Sequence, residues 1–285
     1  MENSENKSII STGSSNLTKT EKLLSITQKI LSEIKPQYES VKIGTQEWMT
    51  RNLDVDRFRN GDLIPHVESA EDWIKVGENG QPAWCYYNND SENGKKYGKL
   101  YNWHSVNDSR GLAPKGWHVP TDEEWSILVD FLGEDEAGHK MKSIEGWDEW
   151  YDKSDFDESH MYYDVIDIKE YPGIERSGNG DNSSGFNSLQ NGHRNEDGDF
   201  ASCYYSWFLD VYESFSYFWS DTTFENESAL LRSFRNKSCS LERGSCPKNY
   251  GISVRLIKDS NDSKRVQGVK NGTIKPYVPP GLKLK

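Results

Sequence analysis

The chain has 285 residues, 46 acidic against 34 basic side chains, and a formal charge of -12. No run approaches the ~18–20 consecutive apolar residues of a membrane helix, and the acidic balance argues against a general nucleic-acid binder, which needs a basic surface to displace phosphate counterions. Hydrophobic content is 34%, yet aromatics reach 12%, with 10 Trp and 15 Tyr. Disordered chains are poor in such rings, so this chain folds, around large side chains.

The charge is unevenly spread. Residues 1–40 balance five acids with five lysines, and residues 260–285 carry six basic side chains against Asp262, so the body between holds a net -17. The tail reads as a solvated linker or as a segment that docks on an acidic partner or surface. The start has no basic n-region followed by an apolar stretch, so it does not read as a secretory signal. By default that places the chain, and its four thiols, in a cytosol.

Residues 1–17 are Ser/Asn-rich and read as flexible. Residues 18–35 read as an amphipathic helix. Thr18 and Glu21 form a capping box, Leu23, Leu24, Ile26, Ile30, Leu31 and Ile34 recur at helical spacing, and Pro36 ends it. Such a helix packs on its own domain or serves as an assembly contact, as does the basic tail of residues 260–285.

Residues 41–259 read as one domain. Short β-type runs are expected at Val41-Lys42-Ile43, Trp84-Cys85-Tyr86-Tyr87, Tyr204-Tyr205-Ser206-Trp207, Tyr217-Phe218-Trp219 and Ser253 to Ile257. The clearest helix follows Pro120. Thr121 and Glu124 form a capping box, Trp125, Leu128, Val129 and Leu132 share a face, and Gly133 caps the end. A weaker helix is expected over 135–143. Residues 145–200 read as long, irregular loops.

The ordered motifs are Val41-Lys42-Ile43-Gly44 with Trp48 to Leu53, Trp84 to Asp90, Tyr97-Gly98-Lys99-Leu100-Tyr101-Asn102-Trp103, and Gly116-Trp117-His118-Val119-Pro120-Thr121. Ser184-Gly185-Phe186-Asn187, Gly192-His193-Arg194, Tyr217-Phe218-Trp219-Ser220 and Gly251-Ile252-Ser253-Val254-Arg255 follow. Together, over residues 41–259, they resemble the Fibrobacter succinogenes major paralogous domain family. The resemblance implies an α+β, C-type-lectin-like fold, akin also to formylglycine-generating enzymes, with twisted antiparallel sheets, two helices and long loops. It implies a bacterial or phage source, an extracellular surface or virion setting, and no established activity. The family's last strand often has Cys after Val-Arg. Here Leu256 stands there, which leaves a disulfide from Cys85 to that strand without its usual partner.

Among chemistry-bearing groups, the Gly-rich loops with Asn179, Asp181, Asp197 and Asp199 are weak calcium candidates, since calcium takes six to eight oxygens. They do not fit an EF-hand, and no cofactor is otherwise expected. No catalytic motif such as HExxH or GxSxG appears. Cys239 and Cys246 flank an expected hairpin loop. They compare with the copper-binding pair of formylglycine-generating enzymes, because paired thiolates can select Cu(I); a disulfide or two inert thiols is the plainer reading. Trp48, Trp84, Trp103, Trp117 and Trp125 are expected in the core. Residues 202–236 combine Tyr, Trp, Arg, Ser and Asn as recognition surfaces do, and strand alternation should turn about half of their rings outward. The expected ligand face comprises Tyr205, Trp207, Trp219, Asp221, Arg232, Arg235 and Asn236, offered to a protein or glycan. A metal-dependent oxidoreductase and a purely structural subunit are the alternatives.

Overall fold

The computed structural model describes residues 38–148, 150–151, 175–206 and 211–259. The expected helix over 18–35, the flexible start and the basic tail lie outside the described residues. The chain divides into two units, Met1–Tyr38 and Glu39–Lys285, and the second carries every element named below.

The architecture is mixed α+β. In chain order the strands are β1 (Ser40–Ile43), β2 (Gln46–Met49), β3 (Trp84–Cys85), β4 (Leu100–Tyr101), β5 (Trp117–His118), β6 (Trp150–Tyr151), β7 (Glu175–Arg176), β8 (His193–Arg194), β9 (Phe200–Ala201), β10 (Cys203–Ser206), β11 (Val211–Thr223), β12 (Ser228–Arg235), β13 (Glu242–Pro247), β14 (Ile252–Ser253) and β15 (Ile257–Lys258). The α-helices are α1 (Ala70–Glu78), α2 (Ser91–Tyr97), α3 (Trp103–Val106), α4 (Asp122–Leu132) and α5 (Ala137–Met141). A large sheet runs β13-β12-β11-β14-β4-β3, with β10 also paired to β11. A smaller one runs β1-β2-β15-β5.

Local chemistry explains the helix starts. Thr121 and Glu124 make both bonds of the expected capping box, and Gly133 (φ 93°) closes α4. Side chains of Ser69, Asp90 and Asn102 accept first-turn amides of α1, α2 and α3, satisfying donors that helices leave orphaned. The sequence reading passed over these three helices because each is short and lacks a long apolar stripe. The weaker helix over 135–143 is real but shorter.

The expected strand from Ser253 to Ile257 is instead two short strands in two different sheets. Between them Val254 O accepts from Leu53 N (2.8 Å) and Leu256 O from Met49 N (3.0 Å), so the backbone stays satisfied while the chain crosses over. Arg255 sits in this crossing, 1% exposed. Its guanidinium donates twice to Asn52 Oδ1 (3.1 and 2.7 Å) and to the carbonyls of Met49 and Phe186. The rings of Phe186 and Phe218 lie against it.

The core is aromatic. Trp48 and Trp125 lie 4.6 Å apart, and Phe186, Phe218 and Phe234 complete the cluster with Leu128, Met141 and Ile257. All five tryptophans expected inside are buried. Gly98 is required by both geometry and space: its φ is +74°, and a Cβ would lie 2.8 Å from Leu53 O.

Candidate functional site: the outer face of the C-terminal sheet

The site is built on β11, the central long strand. It pairs antiparallel with β10 through Tyr204↔Glu213 and with β12 through Phe215↔Arg235 and Tyr217↔Ser233. Side chains alternate along a strand, so Ser214, Ser216, Phe218 and Ser220 share one face and Glu213, Phe215, Tyr217 and Trp219 the other. The first face is the inner one, where Phe218 packs against Trp125 of α4.

The outer face carries a continuous belt of rings. Tyr204 lies 5.8 Å from Phe215, which stacks on Tyr217 at 4.7 Å and 7°. His193, delivered by β8 beside β11, stands 5.1–5.2 Å from both Phe215 and Tyr217 and stacks on Tyr250 at 5.3 Å. Tyr204 is 41% exposed, and Tyr217 and Tyr250 are half-buried.

A charged rim borders the belt at Tyr204. Arg235 donates to Glu242 Oε2 (2.7 Å), to Glu213 Oε2 (2.6 Å) and to the Tyr204 hydroxyl. That hydroxyl donates to Glu213 Oε2 (2.6 Å), and Lys237 also pairs with Glu213. Glu213 is thus a buried carboxylate surrounded by three donors, the arrangement that lets a charge stay buried.

Burial keeps His193, Tyr217 and Tyr250 of the belt uncharged at neutral pH. Burial lowers the His193 imidazole to about 4, so it is neutral at neutral pH. Burial pushes the Tyr217 hydroxyl to about 12. Burial and the Glu196 carboxylate raise Tyr250. His193 Nδ1 and Ser233 Oγ, to either side of Tyr217, have no hydrogen-bond partner among the described residues.

The structure corrects the expected ligand face. Trp219 is 0% exposed, and its indole donates to Tyr101 O (2.8 Å). Arg232 is 5% exposed on the inner face, bonded to Asp122 Oδ1 (2.8 Å) and Ser126 Oγ (2.9 Å) at the start of α4. Asn236, 2% exposed, accepts from Ser214 N and Lys237 N. These three side chains are buried and bonded within the domain rather than presented at its surface. Asp221 is half-buried, with its amide bonded to Pro120 O. Tyr205 pairs with Tyr212 in the ladder, and Trp207 lies outside the described residues. Of the seven, Arg235 lies at the ring belt, bonded to the Tyr204 hydroxyl. Tyr204, Phe215 and Tyr217 of the belt fall inside the expected 202–236 region but not among the seven residues singled out, whereas His193 and Tyr250 lie outside that region. The available signal was the two-residue alternation of Glu213, Phe215 and Tyr217 with Ser214 and Ser216.

Two of the four candidate loop side chains already accept backbone amides. Asn179 Oδ1 accepts from Trp147 N (2.9 Å) and Asp181 Oδ1 from Ser183 N (2.8 Å). The Ser183 amide bond lowers the Asp181 carboxyl, while Asp197 and Asp199 are exposed on a separate turn. Among the described residues no group of three or more His, Cys, Asp and Glu is placed to hold a metal ion.

The expected hairpin between Cys239 and Cys246 is a correction too. Residues 242–246 of it belong to the extended strand β13 rather than to a hairpin loop, and Cys239 lies in the bend that joins β12 to β13. Both thiols are free. Cys239 is exposed, whereas burial raises the Cys246 thiol. Cys85 is buried beside Leu100 and Trp73, its thiol pushed to about 12 by burial, against the pull of Arg194.

The Fibrobacter succinogenes major domain matches residues 41–258, most of the chain, so the chain belongs to that family. No curated protein and no solved structure matches it. Among the described residues no helix is long and apolar enough to cross a membrane.

Proposed function

We propose that this domain is a non-enzymatic recognition module. Its outer sheet face, centred on Tyr204, Tyr217, Tyr250 and Arg235, binds a protein or glycan ligand. The reading rests on one observation: a continuous ring belt, partly exposed, bordered by a charge-compensated rim. Rigid amphipathic rings supply contact area at low entropic cost, and Arg and Tyr dominate binding hot spots. The position of this face on an α+β domain of mixed antiparallel sheets is consistent with the C-type-lectin-like fold that the sequence resemblance implies. A phage particle or bacterial surface assembly is a setting in which such a module would act.

The test is a glycan and surface-protein binding screen followed by a Tyr204→Ala/Arg235→Ala double variant. Truncating a hot spot costs about 2 kcal/mol or more, so affinity should fall about 30-fold or more. Full affinity for every ligand found would overturn the proposal. A circular dichroism spectrum like the parent's shows that the variant is folded.

A further inference from the structure

β13 is the terminal strand of the large sheet. Its inner edge pairs with β12 in the register Glu242↔Ser233, Gly244↔Leu231 and Cys246↔Ala229. The bond from Lys248 N to Glu227 O (2.9 Å) fixes the phase of this ladder. Opposed residues in an antiparallel pair alternate between hydrogen-bonded and non-bonded. Glu242, Gly244 and Cys246 therefore bond inward, and the backbones of Arg243 and Ser245 point out from the edge. Both residues are exposed, and among the described residues their amides and carbonyls have no partner. A charged side chain commonly blunts such an edge. Here Arg243 is drawn aside, its Nε 2.9 Å from Asp122 Oδ2 at the start of α4.

We propose that this edge pairs antiparallel with β13 of a second copy of the chain, about a two-fold axis at Gly244. The edge is self-complementary in that register. Arg243 faces the second copy's Ser245, and each pair exchanges two backbone hydrogen bonds, four in all. Glu242 faces Cys246, so no like charges are opposed, which would destabilise the pair. The closest, non-bonded pair falls on glycine, where Cα atoms approach to about 4.5 Å. Pro247, lacking an N–H, ends the pairing.

An axis through an antiparallel pair stands normal to the sheet. The two ring belts therefore face the same way, and, on the recognition reading above, a dimer would bind multivalent ligands with avidity. One strand edge buries less than the ~1,200 Å² of a stable interface, and each body carries -17. The dimer is therefore reversible and tightens as salt screens the repulsion.

The experiment is sedimentation of the full chain over a concentration and salt series, which needs no ligand. The expected result is a monomer–dimer equilibrium shifted to dimer by salt and abolished by Ser245→Pro, a change that removes an outward N–H and no inward ladder bond. Gly244→Cys in a Cys239→Ser background should give a reducible covalent dimer, because the paired Cα distance lies within the ~4.4–6.8 Å that a disulfide spans. A Cβ at 244 meets Leu231 only at ordinary contact, 3.4 Å. If Ser245→Pro fails to fold, the cross-link still decides. A parent that stays monomeric with no cross-link overturns the proposal. So does an oligomer that survives Ser245→Pro but is lost on Leu24→Glu/Ile30→Glu. Failure of the ring-belt variants to alter binding would leave this result untouched.

Discussion

Two arginines divide the molecule. Arg255 lies in the crossing between sheets, 1% exposed, and among the described residues its guanidinium meets an amide oxygen, two carbonyls and two rings. Arg235 lies at the solvent edge of the outer face, 26% exposed, between two carboxylates and a phenol. The first is a fixed charge that ties β2, Asn52 and Phe186 to the end of the domain. The second sits in a hydrogen-bonded network at the solvent edge, on the face proposed to bind. The difference shows that residue type alone does not mark a site; the partners and the water around it do.

The largest expected effect breaks the interior half of this comparison. Arg255→Met strands three backbone or amide acceptors in a dry core, so unfolding free energy should fall by about 3–5 kcal/mol. Denaturant titration of the purified variant would measure it, and a loss below about 1 kcal/mol would remove Arg255 from this role.

A middle effect tests the ties between elements. His118 Nε2 lies 2.9 Å from Glu124 Oε1 in α4, and Nδ1 lies 2.8 Å from Asp259 Oδ1 just beyond β15. Burial, the largest single influence, pulls this imidazole down, but the two carboxylates together outweigh it and raise it. A group whose folded value is raised adds stability that is full below its unfolded value, about 6.5, and fades as pH rises through the folded value. His118→Gln should cost about 1–2 kcal/mol at pH below 6.5 and less above it. Melts across that range measure the slope, and an equal loss at every pH would refute the link.

The smallest effect on stability sharpens the outer half. Arg235→Ala should change stability by about 1 kcal/mol or less, because Lys237 and Tyr204 still serve Glu213. A thermal melt checks it. A collapse of the fold would make Arg235 a second Arg255 and weaken its assignment to the binding face.

Much was legible in advance because its causes are local. The α4 capping box needs four adjacent residues, and the buried tryptophans follow from a ring-rich, aliphatic-poor composition. Trp219 shows where that stops. Its alternation with Phe218 states that the two point to opposite faces, but not that both faces are covered there. That coverage comes from Tyr101 and Trp103, more than 100 residues upstream, whose segment bonds to Trp219 and Ser220. Arg232 misled for a similar reason, since its partner Asp122 lies on a distant helix.

The sequence by itself determined an acidic body with a basic tail, an aromatic core and the motif order that marks the family. These depend on composition and on neighbours along the chain. Only the tertiary structure decided which rings face water, which arginine is locked and which strand edge stays open. Burial is set by segments that meet across the fold, and a strand's two faces are equivalent until something packs on one of them.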